Sequence, residues 1–166
     1  ALDEIKKYFD NIIIFESEFY HIENNEISVG NLYFNKSRIR VEYKSPQNLL
    51  FVLKDKKVMF FNKELSEVQY FNPKNTPAQI LIDIFNKINF FNDFHIAKEL
   101  NHLLIQKPIL IEKKIHKLEI YFEINPINIR KIKISGEISN FEFALININL
   151  NPDLDESIFS LANPLL

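Results

Sequence analysis

Four histidines, a pair of glutamates two residues apart and a complete lack of cysteine bound the chemistry open to this 166-residue chain. A histidine metal site needs several ligands converging at a short spacing, such as i and i+4 on one helix face. His21, His95, His102 and His116 show no such spacing. His95 and His102 lie seven residues apart, and neither has an acidic neighbour in a known pattern. They read as solvated or strand-edge histidines, and no metal is expected. Glu16 and Glu18 superficially resemble the carboxylate pair of a hydrolase. They alternate with Phe15 and Phe19, however, which turns them toward solvent. The absence of cysteine excludes disulfides, thiolate catalysis and cysteine-ligated zinc. It also leaves no N-terminal cysteine to carry a lipid. No G-x-S-x-G elbow occurs, and two glycines in the whole chain cannot build a phosphate-cradling loop. No catalytic residue and no cofactor is expected, and the chain reads as a binding protein, not an enzyme.

The charge balance narrows the partners further. Twenty basic and 22 acidic side chains give a formal net charge of −2 with no basic stripe, so nucleic acid is not an expected partner. No apolar stretch approaches the roughly 20 residues that span a bilayer; Ile12 to Phe15 and Leu49 to Leu53 are far shorter. Ala1-Leu2-Asp3-Glu4 lacks the basic start and apolar core of a leader. The expectation is a cytosolic protein or a mature form whose signal peptide has been removed. The chain carries 16 Phe and 6 Tyr but no Trp. That aromatic bulk must fill a core or line a cavity.

The elements that would hold these residues follow from periodicity. Leu2, Ile5, Phe9 and Ile12 fall at helical spacing, predicting a short amphipathic N-terminal helix. From Ile13 the period changes to two. A strand through Phe15, Phe19 and His21 turns at Asn24-Asn25 into a second from Ile27 to Phe34, with Gly30 marking a bulge or bend. Arg38 to Lys44 alternates most cleanly, with Ile39, Val41 and Tyr43 on one side. Strands at 49–53, 58–61 and 67–71 continue an antiparallel meander with polar turns between them. Thr76-Pro77 then signals a helix start, continued by Ile80, Leu81, Ile84, Phe85 and Ile88. Residues 94–105 fit either a helix, through Ile96, Leu100, Leu103 and Leu104, or a hairpin turning near Asn101-His102. Strands return at 109–111, 118–124, 129–134 and 141–148, before a short acidic piece, Asp153 to Ser157.

The fold class expected is mainly β (α+β). A curved antiparallel sheet forms an incomplete barrel over residues 1–166, covered by the N-terminal helix and the helix inserted mid-chain. On pattern alone the apolar face reads as ordinary core.

A second line of argument comes from the order of short motifs. Gly30-Asn31-Leu32-Tyr33-Phe34, then Arg38-Ile39-Arg40-Val41-Glu42-Tyr43 and Pro46, resembles the LolA family of lipoprotein carriers. Asp55-Lys56-Lys57-Val58, Phe61-Asn62, Asn75-Thr76-Pro77 with Ile80-Leu81-Ile82, the Phe15/Phe19 spacing, and Ile158-Phe159 with Pro164 follow in family order along nearly the whole chain. Two positions depart. The family's Arg-Pro pair is replaced by Asn35-Lys36 or Lys36-Ser37, and its Trp by Val41.

The resemblance implies a soluble periplasmic chaperone. It would take acylated lipoproteins from an inner-membrane ABC-type releasing complex and deliver them to an outer-membrane acceptor, working as a monomer. It implies an acyl cavity lined by Phe15, Phe19, Leu32, Phe34, Ile39, Val41, Tyr43, Leu50, Val52 and Phe60. Ile80, Leu81, Ile84 and Phe85 would form the lid, with Lys36 or Arg38 standing in for the family's latch arginine. A lipid- or peptide-binding envelope sensor on the same scaffold is the alternative, ahead of a small enzyme or plain core packing without a cavity.

Overall fold

A computed structural model describes residues 2–74, 77–86 and 92–166, the side chains of 77 and 78 excepted. Thr76, the expected helix cap, its neighbour Asn75, and Ile88 lie outside the described residues. The chain opens with helix α1 (Leu2–Asn11), which buries Ile5 and Phe9 and leaves its charged residues outward. Six strands follow: β1 (Ile14–Glu23), β2 (Glu26–Asn35), β3 (Arg38–Ser45), β4 (Leu49–Lys54), β5 (Lys57–Asn62) and β6 (Glu67–Phe71). Helix α2 (Pro77–Asn86) leads to β7 (His95–Lys98), β8 (His102–Ile111), β9 (Lys114–Glu123), β10 (Asn128–Ser135) and β11 (Phe141–Asn149), then a 3₁₀ turn at Glu156–Phe159.

The strands form one antiparallel sheet in the order β6-β5-β4-β3-β2-β1-β11-β10-β9-β8-β7. Two meanders, β1–β6 and β7–β11, therefore meet along the β1/β11 ladder, and α2 lies in the connection between the two edge strands. Tight hairpins with two left-handed residues suit the right-handed strand twist. They occur at Asn24-Asn25, Asp55-Lys56 and Glu112-Lys113, all built without glycine. Residues 94–105 resolve as the hairpin alternative: the Glu99 N–H donates to the His102 carbonyl at 2.9 Å, and Leu100 is 91% exposed at the turn. Ile96 instead pairs with Ile105 across the ladder.

Gly30 sits opposite Phe19 on one side and Tyr43 on the other, where the β2/β3 register slips. A Cβ there would lie 1.9 Å from the Glu42 carbonyl oxygen and 2.8 Å from Phe19 Cζ. The glycine is required by this close approach.

One sheet face carries the main core. Phe15, Phe19, Leu32 and Phe34 pack there with Leu118, Ile120, Phe122, Ile132 and Leu145. Both helices lie on the same face, bringing Ile5 and Phe9 from α1 and Ile80, Ile84 and Phe85 from α2. Burying a side chain of this size is worth about 1.5–3 kcal/mol, so the helices are held mainly by apolar contact. The other face carries a smaller cluster of Leu50, Val52, Met59 and Phe159, covered by the C-terminal segment.

Candidate functional site

The inner face is not filled everywhere. A cavity of about 340 Å³ lies between the sheet and α2. Phe71 on β6 and Phe141 on β11 both line it. They belong to strands six neighbours apart, which a flat sheet would separate by about 29 Å at the usual spacing of roughly 4.8 Å. The sheet therefore curls around the cavity, as expected of an incomplete barrel.

The strand registers arrange the floor in rows. Ile39, Leu53, Val58 and Phe71 pair in succession across β3 to β6. Val41 faces Phe51 in the next row, and Tyr43 follows two residues further along β3. Leu81 and Ile82 of α2 close the top, while Phe141 and Phe143 form the wall from β11. Polar groups gather at the Tyr43 end, where His21, Glu23 and Ser139 complete the lining.

At that end the His21 ring stacks on Phe143, with centroids 4.6 Å apart and planes at 19°. His21 Nδ1 is 2.8 Å from the Tyr43 hydroxyl. Its Nε2 is buried without a hydrogen-bond partner among the described residues, 3.4 Å from a Glu23 carboxylate oxygen. Burial pushes the imidazole below its ordinary value, and the smaller opposing pull of Glu23 does not reverse this. Burial, aided by Glu23, pushes the Tyr43 phenol far up, so the hydroxyl keeps its proton.

Ser139 is positioned by a second histidine. His116 is 1% exposed. Its Nδ1 lies 3.0 Å from the Lys114 carbonyl, which fixes that nitrogen as the donor. Nε2 accepts from the backbone N–H groups of Ile138 and Ser139 at 3.3 and 3.1 Å. Gly136 lies so close that a Cβ would meet the ring at 2.2 Å. A buried imidazole thus fastens the 136–139 loop against the cavity wall.

The expected lining divides into three groups. Ile39, Val41 and Tyr43 line the cavity. Phe15, Phe19, Leu32 and Phe34 share the inner face but pack into the core beside it, and Phe60 faces inward against Phe51 at 4.8 Å without reaching the cavity. Leu50 and Val52 point the other way. They pair with Glu42 and Arg40, and pack with Met59 and Phe159 on the outer face. Every position from Leu49 to Leu53 is apolar because both faces are covered, so alternation alone could not choose the parity. The inward residues of β4 are Phe51 and Leu53.

Of the expected lid, Leu81 faces the cavity, while Ile80, Ile84 and Phe85 anchor α2 in the core. Phe85 sits among Phe9, Phe15 and Phe34 at centroid distances of 5.7, 5.1 and 5.2 Å. Arg38 lies on the outer face and pairs with Glu156 at 3.8 Å, while Lys36 sits exposed in the β2/β3 turn. Neighbouring Arg40 holds the same C-terminal segment, donating from Nη1 to the Ile158 carbonyl at 2.8 Å. These arginines strap the tail, and α2 is moored by aromatic packing.

Of the lining residues outside the expected set, His21 shares the alternation of Phe15 and Phe19, whereas Phe141 and Phe143 depend on the distant pairing of β11 with β1.

Residues 20–162 match the model of a family described as outer membrane lipoprotein carrier protein LolA. The chain belongs to the LolA family. No curated protein matches it by sequence. Among solved structures it resembles an uncharacterized conserved protein from Thermus thermophilus, at TM-score 0.61 and 12% identity, covering 94% of this chain and 88% of that one. It also resembles MucB, at TM-score 0.56 and 12% identity over 98% of this chain and 62% of MucB. A DUF1329 family protein from Desulfovibrio piger ATCC 29098 matches at TM-score 0.54 and 8% identity, over 97% and 96%. At these identities the structural likeness establishes the fold alone.

Among the described residues of this LolA-family chain, no helix is long and apolar enough to cross a membrane. Val41, which stands where the LolA pattern carries Trp, lies in the middle row of the floor.

Proposed function

We propose that the chain is a periplasmic carrier that shelters the acyl chains of lipoproteins between membranes. The observation that carries this reading is the cavity of about 340 Å³, apolar along most of its length and roofed by a short helix. Each methylene buried from water is worth about 0.8 kcal/mol, so an exposed acyl chain needs such a slot to travel through water. Membership of the LolA family supports the same cargo class. In this reading an inner-membrane ABC-type complex releases the lipoprotein to the carrier, an outer-membrane acceptor receives it, and the carrier performs no catalysis.

The test is release. Spheroplasts or proteoliposomes holding a compatible releasing complex and a labelled lipoprotein are incubated with the purified protein. A soluble one-to-one complex is expected, and its loss in Leu81→Glu ties it to the cavity. No release by the wild-type protein would overturn transport. An envelope sensor on the same scaffold is the second reading, supported by the fold shared with MucB, a protein whose complex with MucA from Pseudomonas aeruginosa has been solved. Binding of free lipids without release would favour it.

A further inference from the structure

The cavity is graded, and its polar end is built for a specific atom. Ile39 and Tyr43 lie four residues apart on β3, so the apolar and polar rows are about 13 Å apart at roughly 3.3 Å per residue. The apolar end, Ile39, Leu53, Val58 and Phe71, suits a hydrocarbon tail. The other end holds His21, Tyr43 and Glu23.

The proton on His21 can be placed from its neighbours. Among the described residues the protonated Tyr43 phenol hydrogen-bonds to Nδ1, and donates to it. Nε2 then carries the hydrogen. The reverse tautomer would set a bare lone pair 3.4 Å from a carboxylate oxygen, which is repulsive. An N–H is therefore buried at the cavity's polar end with no hydrogen-bond acceptor among the described residues, the Glu23 carboxylate oxygen standing 3.4 Å away. Such a group costs stability unless something else repays it. The Glu23 side chain beside it is half exposed.

We infer that His21 Nε2 donates a hydrogen bond to the carbonyl oxygen of an ester- or amide-linked acyl chain, whose tail runs toward Ile39 and Phe71, and that the cavity thereby selects neutral acyl derivatives over free fatty acids. The carbonyl displaces the Glu23 carboxylate from Nε2. A fatty-acid carboxylate in the same place would meet the negative charge of Glu23 in an apolar enclosure, and is disfavoured. This rests on the carrier reading and names the linkage that the carrier recognises.

The experiment is competition at pH 8 against a fluorescent naphthylamine probe, with methyl laurate and laurate as matched competitors. The ester is expected to bind about tenfold more tightly, the size of one hydrogen bond. His21→Phe keeps an aromatic ring against Phe143 and should weaken the ester about tenfold, bringing the ester-to-laurate ratio toward one. His21→Gln retains a donor and should keep much of the ester affinity. Glu23→Gln should close the gap from the other side by strengthening laurate. Equal affinities in the wild type, or an ester affinity in His21→Phe within twofold of wild type, would overturn the inference and leave the carrier reading intact. Displacement by neither compound would remove both. Dilauroylglycerol and a dilauroylglyceryl-cysteine peptide, compared side by side, distinguish a lipid source of the ester from a lipoprotein source. His21→Phe should weaken the tighter of the two, and no change there would also overturn the inference.

Discussion

Helix α2 is held by Phe85, and removing that ring should loosen the roof without loosening the sheet. Phe85 is 8% exposed and packs against three aromatic rings from α1, β1 and β2. Truncating a buried Phe to Ala costs about 3–5 kcal/mol. α2 takes no part in the strand ladders, so this cost falls first on its docking. At about 1.4 kcal/mol per factor of ten, the undocking equilibrium of α2 should rise by roughly 10² to a few times 10³. Native-state hydrogen exchange measures this directly. In Phe85→Ala the amides of Ile80 to Phe85 should speed up by that factor, while those of Ile120 and Phe122 in β9 change far less. Leu81→Ala is the control: its side chain faces the cavity, so it should weaken ligand retention and alter helix exchange little. If helix and strand amides accelerate together in Phe85→Ala, α2 does not open as a separate unit and the reasoning fails.

Two further outcomes follow from the same packing. Phe159 is fully buried under the outer face, so Phe159→Ala should cost about 3–5 kcal/mol in urea unfolding while leaving probe binding in the inner cavity unchanged; lost binding would show that the two faces are coupled. His21 supplies a pH dependence. Its folded value is depressed below the ordinary value of about 6.5, so between the two values the unfolded chain binds a proton that the folded chain does not. Stability should therefore fall as pH drops below about 6.5, less steeply in His21→Phe; equal slopes in urea titrations of both proteins would remove His21 from the account.

Much of the fold was legible because most strands bury one face only. Arg38 to Lys44 alternates cleanly since Arg40 and Glu42 meet solvent and the tail while Ile39 and Val41 meet the core. The same logic places Glu16 and Glu18 outward and His21 inward. It fails where a strand is covered twice. On β4 the outer cluster around Phe159 makes Leu50 and Val52 as apolar as Phe51 and Leu53, and only the register with Val41 separates them. Distant pairing is equally invisible: nothing local in Phe141 or Phe143 announces that β11 will lie against β1. The pairing of Arg38 is hidden for a related reason, because its partner Glu156 lies over a hundred residues away.

The β1/β11 ladder has a consequence for how the protein acquires its activity. Every other strand pair joins neighbours in the chain, so among the strand ladders a long separation is bridged only at β1/β11, where Phe19 meets Leu145. The floor of the cavity comes from the first meander and its wall, with Phe141 and Phe143, from the second. A chain still emerging from synthesis can finish β1 to β6 and yet own only half a slot. Binding competence therefore requires the β1/β11 ladder, so a copy in which the two meanders fail to pair has no complete slot in which to trap cargo.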